Sequence, residues 1–278
     1  MRIGAVNYLN SKPLVFDLPA LAPNATVTYD LPSRLADSLA ADRLDVALVP
    51  SVEFFRAPRH RIISNACVAC RGPVLSVKVQ FRVPPNEVRR LALDEGSRTS
   101  AVLSQILLAE MHGVRPILES LPIGYGPEAT DADAVLLIGD RAIRKSPDPR
   151  PLTPDPFLTW DLGEKWCQWT GLPFVFAMWI ASGRAISPDL TDILNTARDR
   201  GVENFKQIAA REAPLLDIPV PVAETYFRDN LHFELGPREQ AGLRRFYELC
   251  VKHNLAPSGR ETALSNVGTI DSCRADRH

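Results

Sequence analysis

The sequence predicts an α/β fold in two lobes with a ligand cleft between them, and three observations carry that expectation. Short apolar runs alternate with helically spaced segments in two series, one before residue 84 and one after Pro84-Pro85. Two extended stretches, near Val74–Val83 and Phe174–Ser182, stand between the series and read as one crossing in each direction. A helical remainder follows the second crossing, so both termini fall in the first lobe. Residues 1–84 and 178–278 are therefore expected to form lobe 1, and 85–177 lobe 2. At 278 residues the chain is long enough to give each lobe its own core.

Ile3 to Val6 reads as a strand and Val27 to Leu31 as another, with Ser33 capping a helix through Leu39. Asp45-Val46-Ala47-Leu48-Val49 is a buried strand that stops at Pro50. Short apolar strands alternating with helices indicate a largely parallel sheet covered on both faces. Leu75, Val77, Val79, Phe81 and Val83 alternate with polar residues, the period of a half-buried strand. The second series holds a strand at Leu91–Asp94, a glycine turn, a helix and the strand Ala134–Ile138. Five prolines between Lys145 and Pro156 mark an irregular surface loop. Phe174–Ile180 is an apolar strand, helices run from Ser187-Pro188 to about Arg211 and from Pro237 to His253, and 258–278 is expected to be a disordered tail.

Composition narrows the function. Thirty-two basic residues face 33 acidic ones for a net charge of −1, which supports neither a nucleic-acid groove nor a polybasic membrane patch. No apolar run is long enough to span a bilayer. Because Arg2–Val6 reads directly as a strand, with no apolar signal core ahead of it, a cytoplasmic location is expected. Cys67-Val68-Ala69-Cys70 has the spacing of half a zinc site, yet no second CxxC or His pair completes it. Buried structural thiols are the expectation, with no metal.

The most chemically pointed stretch is Leu93-Asp94-Glu95-Gly96-Ser97-Arg98-Thr99-Ser100. A helix follows it, marked by Val102, Leu103, Ile106, Leu107 and Met111. The first amides of that helix lack intrahelical partners and sit at the positive end of its dipole. With Ser97, Arg98, Thr99 and Ser100 beside them, they form a metal-free seat for a carboxylate or phosphate. Ordinary N-capping is the plainer alternative for the same residues.

Two lobes joined by two crossover strands are the arrangement of the type II periplasmic-binding-protein-like fold, whose ligands sit where strand ends and helix N-termini converge. Six strings then occur in matching order from Met1 to Ile180: Val6-Asn7-Tyr8-Leu9-Asn10-Ser11-Lys12-Pro13-Leu14, Asp45–Pro50, Cys70-Arg71-Gly72-Pro73-Val74-Leu75-Ser76, Leu93–Ser100, Leu137-Ile138-Gly139-Asp140 and Trp169–Ala177. Together they resemble the chorismate dehydratase family of the futalosine route to menaquinone. The resemblance implies a cofactor-free lyase that removes water from chorismate, a small dicarboxylate, to give 3-[(1-carboxyvinyl)oxy]benzoate.

On that resemblance Asn10 and Ser76 are the expected catalytic residues. Ser11, Ser97, Arg98, Thr99, Ser100, Gly139, Thr170 and Pro173 are the expected substrate contacts, with Tyr8, Leu172 and Phe174 beside Pro173 as candidate ring-pocket residues. For Arg98 a structural salt bridge is an equal alternative. Asp94, Glu95 and Asp140 read as capping or structural groups, which leaves the substrate's own enolpyruvyl carboxylate as the expected base. Two other readings stay open: a non-catalytic small-anion binding protein of the same fold, and the related 1,4-dihydroxy-6-naphthoate synthase, disfavoured by Asn7-Tyr8-Leu9-Asn10 where that enzyme has a Pro-Cys-Pro-Asn type turn. Neither nucleic acid nor membrane is an expected partner, and the oligomeric state is left open.

Overall fold

The apolar runs become the centres of two sheets. The computed structural model describes residues 1–143, 158–183 and 187–260; the proline-rich stretch and the region from 261 onward, for which a loop and a tail are expected, lie outside them. Strands β1 (Arg2–Val6), β2 (Thr26–Asp30), β3 (Val46–Pro50), β4 (Arg61–Cys70), β10 (Phe174–Ala181) and β11 (His232–Glu234) make the first sheet, in the order β11-β4-β10-β3-β1-β2. Strands β5 (Val77–Phe81), β6 (Arg90–Asp94), β7 (Ile117–Leu121), β8 (Ala134–Ile138) and β9 (Leu158–Asp161) make the second, in the order β7-β6-β8-β5-β9.

Each sheet carries a parallel trio, β2-β1-β3 in one and β7-β6-β8 in the other. Beside each trio lies the strand that arrives from the other lobe, antiparallel to its neighbours: β10 between β3 and β4, and β5 between β8 and β9. Every residue of β3 and of β8 is buried, as inner strands covered on both faces require. Inside and outside alternate along β5, which accounts for its two-residue sequence period.

The strands change sheets between Cys70 and Val77 and again between Asp161 and Phe174. Both changes come earlier than the expected limits at 84/85 and 177/178, because Val77–Phe81 pairs within the second sheet and Phe174–Ala177 within the first. Two helix limits also differ. The helix expected from Ser33 begins at Pro32 with Leu31 at its cap, since proline presets the helical φ at the first position. The helices expected from Ser187-Pro188 to about Arg211 are Leu190–Glu203 and Phe205–Glu212, so the first starts later than expected, with Asp189 at its cap.

The hydrophobic core is largely continuous across the lobes. Trp166, on the helix Leu162–Thr170, meets Phe174 of β10 at 5.1 Å between ring centroids, and Phe174 meets Phe246 of the helix Pro237–Lys252 at 4.9 Å. Phe246 in turn packs on Phe55 at 5.6 Å. These aromatic contacts tie the second crossing to the C-terminal helix. Cys67 and Cys70 sit inside β4 as buried free thiols, and burial pushes the Cys67 thiol up.

Candidate active site

Four segments bring the site together: the end of β1 with the 3-10 helix Leu9–Val15, the end of β3, the crossover Arg71–Ser76, and the turn from β6 into the helix Thr99–His112. They enclose a narrow cleft, with about 60 Å³ of room for the centres of water-sized groups and about 540 Å³ when its open mouth is counted. Val6, Leu48, Val68, Val74, Val77, Ile138 and Phe176 give it apolar walls. Tyr8, Asn10, Ser76, Ser97, Arg98, Thr99 and Ser100 supply its polar groups. The described residues lining it include no Asp, Glu or His. Among the described residues no three His, Cys, Asp or Glu side chains gather as a metal site.

Ser76 is held by its backbone and free at its side chain. Asp161 accepts from the amides of Val74 (2.9 Å) and Leu75 (2.6 Å), and the Gly139 amide donates to the Ser76 carbonyl at 2.9 Å. Leu75 sits at φ +65°, a conformation that disfavours a side chain and persists only where neighbours enforce it. The Ser76 hydroxyl itself is buried and has no protein partner.

The facing turn is built on Asp94, whose buried carboxylate accepts from the amides of Gly96 (3.0 Å) and Ile138 (3.1 Å) and pairs with Arg141. That network points the Ser97–Ser100 segment at the cleft. The Ser97 hydroxyl is buried without a partner, and the first-turn amides of the helix lie beside it. Thr99 is engaged across the cleft instead: its hydroxyl accepts from the Val52 amide and lies 3.3 Å from the Ser51 hydroxyl. Arg98 takes the salt-bridge alternative, pairing with Asp37 at 2.7 Å and Glu53 at 3.3 Å.

Tyr8 closes the floor between the lobes. A Cβ on Gly96 would lie 3.1 Å from the Tyr8 hydroxyl, and one on Gly139, at φ +71°, would lie 3.1 Å from its ring. Gly139 thus supports the Tyr8 ring rather than lining the cleft. Burial, reinforced by Asp94 and Asp140 against the opposing Arg141, pushes the Tyr8 phenol above its ordinary value, so it remains neutral. Asp140 ties the lobes together through the Leu9 amide, which donates to it at 2.9 Å.

Besides Gly139, three more expected contacts are not among the lining residues. The Ser11 hydroxyl is spent on the carbonyls of Val6 (2.5 Å) and Tyr8 (2.8 Å) and locks the 3-10 turn that presents Asn10. The Thr170 hydroxyl donates to the Trp166 carbonyl at 2.8 Å at its helix end. The Pro173 carbonyl accepts from the Trp166 indole at 3.0 Å and abuts Gly242. Leu172 and Phe174 likewise stand outside the lining, and Phe176 is the aromatic ring in the wall. Sequence reasoning missed Tyr226, whose phenol is buried beside Ser76 and Asn10. It offered no signal, because an aromatic residue in a helical stretch reads as core.

Known proteins agree with this architecture. The chain is 29% identical to the chorismate dehydratase of Thermus thermophilus, an alignment covering 88% of this chain and 93% of that protein. It is 25% identical to the chorismate dehydratase of Campylobacter jejuni, covering 92% and 100%. Among solved structures, a protein from Archaeoglobus fulgidus superposes with a TM-score of 0.67 at 12% identity, covering 91% of this chain and 97% of that one. The periplasmic aliphatic sulphonate binding protein of Escherichia coli does so with a TM-score of 0.55 at 12% identity, covering 93% and 88%, which places the fold among the periplasmic-binding-protein-like structures. The sequence profile described as menaquinone biosynthesis matches residues 1–252, and the chain belongs to that menaquinone biosynthesis family.

Proposed function

We propose that this chain is a chorismate dehydratase, a hydro-lyase that converts chorismate to 3-[(1-carboxyvinyl)oxy]benzoate and water in the cytoplasm, on the futalosine route to menaquinone. Both relatives named above carry that activity in their names, and each alignment covers most of both chains. The observation that supports the chemistry best is the character of the cleft. Neutral donors from both lobes converge on it, and no carboxylate of the described lining faces the space a dianion would fill. A protein carboxylate there would repel the substrate and be driven towards protonation.

One substrate carboxylate docks on the Ser97 hydroxyl and the first amides of the helix Thr99–His112. The ring then lies between the apolar walls, with its allylic hydroxyl and enolpyruvyl arm at Asn10 and Ser76. In the elimination, the proton leaves the carbon that bears the ether and is taken by the substrate's enolpyruvyl carboxylate. The electron pair of that C–H bond forms the new ring double bond, the neighbouring C–O bond breaks, and the departing hydroxide regains the proton as water. Ser76 and Asn10 hydrogen-bond the arm and the leaving hydroxyl as charge develops there. Rate comes from positioning and preorganised donors, with aromatisation as the driving force.

Purified protein incubated with chorismate alone should yield the aromatic ether, followed by its ultraviolet absorbance and by mass. Asn10→Ala and Ser76→Ala should each lower kcat by roughly 100-fold or more, the scale of losing a preorganised donor. Recovery of unchanged chorismate from the wild-type protein would leave only a binding protein. Wild-type turnover in both variants would remove Asn10 and Ser76 from the mechanism.

A further inference from the structure

Two hydroxyls buried beside one another, those of Ser76 and Tyr226, make no well-formed hydrogen bond to the protein, yet the Tyr226 phenol lies close enough to Ser76 and Asn10 to interact with both. Buried polar groups left without a good hydrogen bond are few in proteins, and a catalytic role is one of the recognised reasons for them. Ser76 lines the cleft, and Tyr226 stands behind it, 1% exposed, next to both Ser76 and Asn10.

The backbone around Tyr226 is unusual. Tyr226–Asn230 is a π-helical turn that follows the helix Val220–Thr225, and such turns recur at functional sites. Its far end is fastened to the crossover, where the Asn230 amide group donates to the Pro73 carbonyl at 2.9 Å. The crossover is thereby gripped twice. The second lobe fixes the Ser76 backbone through Asp161 and Gly139, and the first lobe brings the Tyr226 phenol up to its side chain.

We propose that Tyr226 is a positioning residue for the elimination, its phenol orienting the Ser76 hydroxyl and the Asn10 side chain towards the departing hydroxyl of the substrate. This rests on the assignment of Ser76 and Asn10 above. With the phenol interacting with the Ser76 side chain, a hydrogen bond donated by Tyr226 to the Ser76 oxygen leaves the serine proton for the substrate oxygen. Burial raises the phenol well above its ordinary value, although the neighbouring Ser76 and Asn10 oppose that shift. Tyr226 therefore donates a hydrogen bond and gives up no proton, and no proton is routed through it.

The test is kinetic and uses the full chain. Tyr226→Phe should lower kcat about 10-fold, the scale of one mispositioned hydrogen bond, with KM within about twofold of wild type. Its melting temperature should stay close to wild type, because the phenol makes no well-formed protein hydrogen bond whose loss would weaken the fold. In a Ser76→Ala background the same change should cost clearly less than in the wild-type protein, since one of the two side chains it orients is gone and only Asn10 remains. Wild-type kcat in Tyr226→Phe, a loss that multiplies undiminished onto Ser76→Ala, or a loss matched by a fall in melting temperature would each overturn the inference. The two layers fail separately. If Ser76→Ala and Asn10→Ala abolish turnover while Tyr226→Phe keeps it, only the role of Tyr226 falls; if Ser76→Ala turns over normally, the assignment beneath it falls.

Discussion

Arg98 and Asp37 bridge the cleft mouth: the guanidinium at the head of the Thr99–His112 helix in lobe 2 lies 2.7 Å from a carboxylate on the Pro32–Ala40 helix of lobe 1. Glu53, also in lobe 1, is the second partner of the same guanidinium at 3.3 Å. With the Val52–Thr99 and Leu9–Asp140 hydrogen bonds, this pair fastens the two lobes over the site. A charge that the sequence offers to the substrate is satisfied by the protein itself, and in the proposed complex Ser97 with the helix amides meets the anion.

The two partners of Arg98 should not weigh equally. The Asp37 side chain is 61% exposed and Glu53 only 11%, so solvent and salt screen the first pair far more than the second. Asp37→Asn should change stability by less than about 1 kcal/mol and leave KM near wild type. Glu53→Gln should raise KM roughly 3- to 10-fold at unchanged kcat, the pattern of weaker closure over substrate. Steady-state kinetics at low and high salt decide it, and equal KM in both variants would detach Arg98 from closure.

Asp161 should matter for Ser76 without touching substrate. It caps the helix Leu162–Thr170 through the Glu164 amide at 3.0 Å and holds the Val74 and Leu75 amides besides. Asp161→Ala removes that cap and releases Leu75 from its left-handed conformation, so a loss of about 2 kcal/mol or more is expected in urea unfolding. Turnover should fall with it even at temperatures where the variant is folded, because Ser76 is the next residue along. Full turnover in a folded Asp161→Ala protein would mean that the crossover keeps its shape unaided.

How far the molecule was legible in its sequence follows from the same residues. Strands such as Val46–Pro50 and Ala134–Ile138 announce themselves because inner strands of parallel sheets are apolar throughout. Pairing is not legible in that way. Val77–Phe81 shows its alternation plainly, but no local pattern tells that its partners are β8 and β9 in the second sheet. Within the site, the motif strings bring Asn10, Ser76 and Ser97–Ser100 to one cleft. They also carry Ser11 and Thr170, whose hydroxyls turn back onto nearby carbonyls, a choice set by rotamer and backbone and invisible in spacing. Tyr226 lies beyond every motif, and a π turn leaves no periodic trace.

Gly139→Ala should be costly at a residue that lines no part of the cleft. A side chain at φ +71° is strained by about 1–2 kcal/mol, and the added carbon would press on the Tyr8 ring at 3.1 Å. The expected outcome is a drop in melting temperature together with lower turnover, because Tyr8 forms part of the cleft surface. A variant as stable and active as wild type would show that the Tyr8 ring moves aside freely.

The pH profile of kcat should be flat between about pH 6 and 9. Tyr8 and Arg98 are the titratable side chains of the described cleft lining, and both are raised from values already alkaline. The signs agree in effect: the phenol stays neutral and the guanidinium stays charged throughout that window. Substrate carboxylates are fully ionised there as well, so the base is present at every point. A sigmoidal profile centred near pH 6.5 would instead indicate a histidine base.

Ser97→Ala should separate binding from chemistry. Its hydroxyl is buried at the mouth of the Thr99–His112 helix with no protein partner, so it is free to donate to an anion seated there. A hydrogen bond to a charged group contributes about 1.5–3 kcal/mol. The substrate carboxylate at that turn keeps its charge through the elimination, since the proton moves to the other carboxylate. The bond is therefore equally strong in ground and transition states, and removing it should raise KM roughly 10- to 100-fold while kcat holds. Ser76→Ala should do the reverse, lowering kcat with little change in KM. Should Ser97→Ala lower kcat and spare KM, the Ser97–Ser100 turn would hold the reacting arm, and the orientation of substrate in the cleft would be inverted.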